Sequence, residues 1–428
     1  MARFFKWFYP GMRVKRWLLL ILAGILFFGI GAGLLPVRGN LVQRTSSLVF
    51  LLLGLIGTGY GVIRIIRSLL DVVFPESRQE RELVDLVFQR RHLEKGPKIV
   101  AIGGGTGLST LLHGLKHYTT NITAIVTVAD DGGSSGRLRQ EFDVLPPGDI
   151  RNCLVALAEA GPLMQRLFQY RFAEDSALQG HNFGNLFITA MTKITGDFER
   201  AIRASSEVLA IRGRVMPSTN TKVRLAAEHA DGSVTLGETK ISAATVPIRR
   251  IYLEPAHCQP NAEALAAIRE ANAIILGPGS LYTSIVPNLL VDQMVDAIVQ
   301  SKALKIYVCN VMTQSRETNG YRASDHVKAL LDHTNPGLIQ VCIVNTKPVP
   351  PHLLEKYQQE EAYPVESDIE RMRELGCQVV TGDIISTENY VRHDPDKVAK
   401  LIIQLIVGTR SRSLATTAAA ATVPAGVS

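Results

Sequence analysis

Cysteine is scarce and scattered: Cys153, Cys258, Cys309, Cys342 and Cys377 are the only five in 428 residues. No two form a C-x-x-C pair and no histidine stands at metal spacing from one, which argues against a zinc module. An odd, dispersed set also fits reduced thiols in a cytosolic core better than a disulfide framework. Cys309 and Cys342 lie in apolar runs and are expected as small buried side chains. No internal repeat is present, so a solenoid or propeller is not indicated. Acid is missing from the N-terminus altogether. Arg3, Lys6, Arg13, Lys15, Arg16, Arg38, Arg44, Arg64 and Arg67 all precede Asp71, the first acidic residue. Without these nine the formal charge falls from +7 to −2. The basic balance therefore belongs to the N-terminus and does not point to a nucleic-acid partner.

Between those charges lie two uncharged apolar runs, 17–35 and 45–63, each 19 residues long. That is close to the roughly 20 residues a helix needs to span a bilayer. Arg38 and Arg44 occupy the short turn. Five positive residues precede the first run, and Arg64 and Arg67 follow the second. The positive-inside bias then places both ends in the cytoplasm. A cleaved signal peptide followed by a buried helix is the alternative. It fits less well, because the first run is long for a signal and no A-x-A site follows. Residues 1–70 are expected as a multi-pass membrane anchor with the globular part in the cytoplasm.

Residues 71–97 read as a charged linker helix ending at Gly96-Pro97, and 98–408 as one domain. Buried strands are expected at 99–102, 122–128, 273–276, 306–309, 338–344 and 378–381, with helical patterns between most of them. That alternation predicts an α/β fold, a mostly parallel sheet with helices on both faces. Residues 214–253 break it with short alternating runs and an Asp231-Gly232 turn, as a small antiparallel β insert does. Residues 409–428, rich in Ala, Thr and Ser, are expected to be disordered.

Several loops can carry chemistry. Gly103, Gly104, Gly105, Thr106 and Gly107 leave the first strand and lead into a helix, a geometry that offers main-chain N–H groups to an anion. The run lacks the G-K-[ST] ending of a P-loop. It matches a dinucleotide fingerprint only at Gly103 and Gly105, with Leu108 in the third glycine's place. A tight turn with no ligand is the bland reading. Asp130-Asp131-Gly132-Gly133-Ser134-Ser135-Gly136-Arg137 is more specific. Its carboxylates can hold a hydrated Mg²⁺ ion, accept a hydroxyl proton or bond a ribose, and its Ser and Gly residues can face a phosphate. In LPPGDIRNCL, Asp149 and Asn152 start a helix, where capping is sufficient for one of them. Around Gly184, His181, Asn182 and Asn185 offer donors and acceptors. Gly277, Gly279 and Ser280 form another glycine loop, with Ser280, Thr283 and Ser284 as phosphate donors or helix caps and Asn310 at the lip of the next strand. Tyr357 and Arg392 can stack on a base and pair with a diphosphate, although both are also ordinary surface types.

Taken in order, IGGGTGL, VADDGGSSGRLR, LPPGDIRNCL, GHNFGNLF, LGPGSLYTSI and CNVMTQ resemble the gluconeogenesis factor family (YvcK-like proteins), itself related to the CofD 2-phospho-L-lactate transferases. The resemblance spans about 98–407. It implies a Rossmann-like CofD fold, binding of a nucleotide sugar such as UDP-N-acetylglucosamine, and a role in bacterial cell morphogenesis and carbon-source adaptation. Family binding positions fall on the glycine loop, Asp130, Asn182, Asn185, Tyr357 and Arg392. The transferase relatives move a phosphorylated lactyl or enolpyruvyl group from a guanylylated donor onto a deazaflavin, so a phosphotransferase using Mg²⁺ and Asp130 with Asp131 is the rival. A nicotinamide-dependent oxidoreductase ranks last. Arg316 departs from the pattern, standing where the family generally carries Gly. A homo-oligomer with further protein partners is expected.

Overall fold

The computed structural model describes residues 15–34, 40–73, 91–173, 176–388 and 390–421. The chain divides into two compact units after Arg90. Most of the expected linker helix, residues 74–90, lies outside the described residues, as does 422–428.

In the first unit Lys15–Gly33 and Leu41–Val73 are helices packed antiparallel. Glycine lets their backbones touch. A Cβ at Gly54 would stand 2.5 Å from the Phe28 amide nitrogen, and one at Gly61 would stand 2.6 Å from Ile21 Cγ1. Small residues at a helix–helix seam are a common packing solution in lipid. Leu22, Leu52 and Ile56 face outward and are exposed. Arg16–Gly33 and Leu41–Ser68 are long and apolar enough to cross a membrane.

The second unit contains β1 (Ile99–Gly103), β2 (Ile122–Val126), β3 (Arg214–Pro217), β4 (Arg224–His229), β5 (Val234–Leu236), β6 (Ile248–Glu254), β7 (Ala273–Leu276), β8 (Leu304–Val308), β9 (Val341–Asn345), β10 (Gln378–Gly382), β11 (Ile385–Ser386) and β12 (Arg392–His393). Seven of them form a parallel sheet in the order β10-β9-β8-β7-β1-β2-β3. β1, β2 and β7 are buried at every position, as a sheet covered on both faces requires. The helices Gly105–Leu115 and Gly148–Leu157 pack together, and the C-terminal helix from Pro395 lies across the first of them at Gly114. From β1 the chain winds outward to β3, then returns to β7 and winds the other way. The order therefore reverses between β1 and β7.

Three boundaries differ from expectation. Residues 214–217 are not part of the insert but the edge strand β3, paired in parallel with β2. Pro217 lacks an N–H, which an edge strand tolerates at its end. The insert is β5-β4-β6, antiparallel, and carries a short helix, Glu238–Ala243. At the C-terminus the helix Pro395–Ala421 continues beyond 409, through an alanine run with the highest helix propensity of any residue.

Candidate ligand-binding site

In an open α/β sheet the crevice for a ligand lies at the carboxyl ends of the strands where the winding reverses. Here that point is between β1 and β7, and both strands end in a glycine loop. The two loops meet. A Cβ on Gly107 would stand 2.5 Å from the Pro278 carbonyl oxygen, so only glycine lets the start of the helix Gly105–Leu115 approach the β7 loop. Gly277 turns that second loop at φ +73, a conformation L side chains rarely adopt.

The loops open onto a cavity of about 630 Å³, lined by Gly104, Gly105, Thr106, Gly107, Gly279 and Ser280. Tyr357, Arg392, His393, Asn310, Met312 to Ser315 and Glu317 line it as well, and the strand Arg392–His393 runs beside the helix Gly105–Leu115. Asn310 clamps the β7 loop like a second peptide: its Nδ2 donates to the Gly279 carbonyl at 2.9 Å, and its Oδ1 accepts from the Gly279 N–H at 3.3 Å. Ser280 caps the turn Leu281–Ile285, accepting from the Thr283 N–H at 3.1 Å. The Tyr357 hydroxyl accepts from the Val391 N–H at 3.0 Å and donates to the Val391 carbonyl at 3.2 Å. Its ring packs on a small apolar cluster that includes Met312, Leu353 and Val391. The Arg392 guanidinium lies 5.2 Å from the Tyr390 ring centroid. His393 approaches the Cys309 carbonyl at 3.0 Å through Nε2, and burial holds its pKa down at about 4, so the ring is neutral and donates there.

The expected residues fall into two groups. Gly104, Gly105, Thr106, Gly107, Gly279, Ser280, Tyr357 and Arg392 line the cavity. Asp130, Asp131, Gly133, Ser134, Ser135, Asn182, Asn185 and Gly277 do not. Several of these make hydrogen bonds within the scaffold. Asp131 accepts from the backbone N–H of Thr239 at 2.9 Å and from its hydroxyl at 2.8 Å, tying down the insert helix Glu238–Ala243. Asn182 caps the helix Phe183–Thr195 by accepting from the Asn185 N–H. Ser134 contacts His181 Nδ1 at 3.3 Å. Arg151 bonds Asn152 at 2.5 Å. Of the three glycine turns, those at 103 and 277 converge. The one at 132 stands behind Glu238, to which a Cβ on Gly132 would come within 3.7 Å.

Glu238 and Glu317, not singled out in the sequence, are lining residues. Each is a lone glutamate in a polar stretch, and no local pattern marks it. Behind the wall, Asp130, Asp131 and Asp149 stand near enough for their charges to act on Glu238. Burial, followed by the charges of Asp130, Asp131, Asp149 and Glu317, pushes Glu238 up to about 8. Burial and the Asp130 charge push Asp149 up to about 6, with the Gly105 N–H and Arg151 acting against them. Asp130 is also raised by burial, although it accepts from the Gly132 N–H at 2.8 Å. At neutral pH Glu238 therefore carries a proton and can donate a hydrogen bond. Among the described residues no group of three or more His, Cys, Asp or Glu side chains is placed to hold a metal ion.

A family model described as 2-phospho-L-lactate transferase CofD matches residues 99–385. The gluconeogenesis factor of Bacillus subtilis is 50% identical over 311 residues, covering 72% of this chain and 98% of that protein. A gluconeogenesis factor homologue of Nostoc sp. is 48% identical over 423 residues, 94% of this chain and 92% of its own length. A crystal structure of a Bacillus halodurans protein superimposes with a TM-score of 0.71 at 48% identity, covering 72% of this chain and 100% of that one. The chain belongs to the CofD family, in its gluconeogenesis factor branch. The Nostoc match extends into the N-terminal helices, whereas the Bacillus proteins match 72% of the chain.

Proposed function

We propose that the cavity binds a nucleotide sugar of the UDP-N-acetylglucosamine type, and that binding regulates carbon metabolism and cell morphogenesis. One observation carries this reading: two glycine loops at the β1/β7 reversal line a single cavity together with Tyr357 and Arg392. The amides of Gly105, Thr106 and Gly107 open a helix, whose N-terminus favours a diphosphate. Arg392 adds a guanidinium and Tyr357 a ring edge for the nucleoside. The cavity falls within the roughly 300–1,000 Å³ range of small-molecule sites. Protonated Glu238 is a hydrogen-bond donor for the sugar or a phosphate oxygen rather than a repelling charge. The regulatory output is a change of conformation or of protein partner on binding, within a homo-oligomer.

The two apolar helices anchor the protein in the cell membrane as a hairpin, with the nucleotide-binding domain in the cytoplasm. Their length and the basic residues outside both spans support that topology. A thermal-shift panel tests the ligand class. UDP-N-acetylglucosamine should raise the melting temperature more than GDP or NAD does. An equal or absent response to all three would refute it.

A phosphotransferase is the second reading, favoured by Asp130, whose charge acts on both Asp149 and the cavity-lining Glu238. A Mg²⁺ ion usually takes one or two carboxylates plus substrate phosphates. Asp130 and Asp149 would hold it, and it would neutralise charge on a diphosphate. Multiple-turnover release of a nucleoside monophosphate, abolished by Asp130→Asn, would establish this reading.

A further inference from the structure

The insert helix Glu238–Ala243 and the loop 312–317 are neighbouring walls of the cavity, the first contributing Glu238 and Ser242, the second Met312 to Ser315 and Glu317. The seam between them is fastened twice. On the inside, the Ser242 hydroxyl donates to Glu317 Oε1 at 3.3 Å. On the outside, the exposed Arg316 sends Nη1 to the carbonyl of Ala243, the last residue of the insert helix, at 3.1 Å. The other end of that helix is held by Asp131 through Thr239. It is thus pinned at its N-terminus by the β2 loop and at its C-terminus by one long side chain from the neighbouring wall.

Arg316 makes this contact from an unusual backbone position. Its φ is +69, in the left-handed region that glycine adopts without strain and an arginine does not. The conformation is held by its own turn: Arg316 N–H donates to Asn319 Oδ1 at 2.9 Å, and Thr318 N–H to the Gln314 carbonyl at 2.9 Å. Strained backbone persists only where the surroundings over-determine it. A side chain is kept here although the backbone favours none.

We infer that Arg316 is a positioning residue that latches the insert helix over the cavity and so slows both entry and exit of the ligand. The inference rests on the nucleotide-sugar reading for its ligand but not for its geometry. A latch on the outside of a wall contributes little to contact with the occupant. It acts on the rate at which the wall opens, so removing it raises the association and dissociation rates together and moves the affinity less.

The test compares Arg316→Ala, Arg316→Gly and Arg316→Lys in the full chain. Amide hydrogen exchange without ligand should quicken several-fold in residues 238–243 for the Ala and Gly variants, and less for Lys. Stopped-flow mixing with UDP-N-acetylglucosamine should give both rate constants raised several-fold in Ala and Gly. Arg316→Gly should melt above Arg316→Ala because it alone releases the φ strain, while the two share the same gating rates. A purely structural role would instead move melting temperature and rates together. Unchanged exchange in 238–243, or exchange raised equally across the whole domain, overturns the latch. If the wild-type protein does not bind the nucleotide sugar, the functional reading fails, and the exchange data alone decide the latch.

Discussion

Glu317 accepts a hydrogen bond from the Ser280 hydroxyl at 2.5 Å. Because its other oxygen accepts from Ser242, this one carboxylate joins the β7 glycine loop, the insert helix and its own loop into a continuous wall. Glu317 is buried, and burial raises its pKa. Glu317→Ala should leave both hydroxyls without their acceptor and lower stability by about 1–3 kcal/mol, read from urea unfolding. Glu317→Gln keeps one acceptor and should cost less. Equal stability of both variants and wild type would mean the wall does not depend on this residue.

Stability should fall as pH rises from 5 to 8. The folded pKa of Glu238, at about 8, lies above its ordinary value, so the stabilising protonated form is fully present below the unfolded pKa and is lost as pH rises through the folded one. Asp149, at about 6, adds to the same trend at lower pH. Glu238→Gln cannot ionise and should flatten the melting-temperature profile above pH 6. A profile identical to wild type would contradict the assignment.

Gly107→Ala places a methyl against the Pro278 carbonyl and Gly279 Cα, both backbone atoms that cannot swing aside. A loss of about 1–3 kcal/mol is expected from overpacking, together with weakened ligand binding as the two loops separate. Gly408→Ala, inside the helix Pro395–Ala421 where a Cβ meets no neighbour within 4 Å, is the control and should be neutral to slightly stabilising. Chemical denaturation of the pair reads the difference.

Tyr357→Phe removes a hydroxyl that serves both backbone groups of Val391. The freed N–H and carbonyl should lower stability by about 1–2 kcal/mol and loosen Arg392, the next residue, from its place on the cavity rim. Hydrogen exchange at 390–393 would report it.

The membrane anchor predicts behaviour on fractionation. An alkaline carbonate wash of bacterial membranes should leave the full chain in the pellet and release a version lacking residues 1–70. Release of the full chain would remove the anchor from the account.

Much of this was legible in the sequence because buried parallel strands are unbroken apolar runs. Strands β1, β2 and β7 are readable from Ile99, Ile122 and Ala273 onward, and the glycines that follow β1 and β7 mark the crevice. β3 was assigned to the insert because Arg214–Pro217 is short, half polar at its start and ends in proline, as an edge strand can be. The acidic wall was not readable. Glu238 lies in a polar insert and Glu317 in a surface-like loop, and only tertiary packing buries them, the first near Asp130 and Asp149. Asn182 and Asp131 are visible as polar residues beside glycine, and the same chemistry that binds a sugar hydroxyl also caps a helix, a contact both of them make. Arg316 was visible as a departure in a glycine position; its reach to Ala243 was not.

Whether one diphosphate sits between the two glycine loops is decided by calorimetric titration of UDP-N-acetylglucosamine into wild type, Tyr357→Ala and Arg392→Ala. Saturable binding to wild type, weakened at least ten-fold in both variants, is the predicted result. No heat at millimolar nucleotide sugar, or binding untouched by both substitutions, would contradict it.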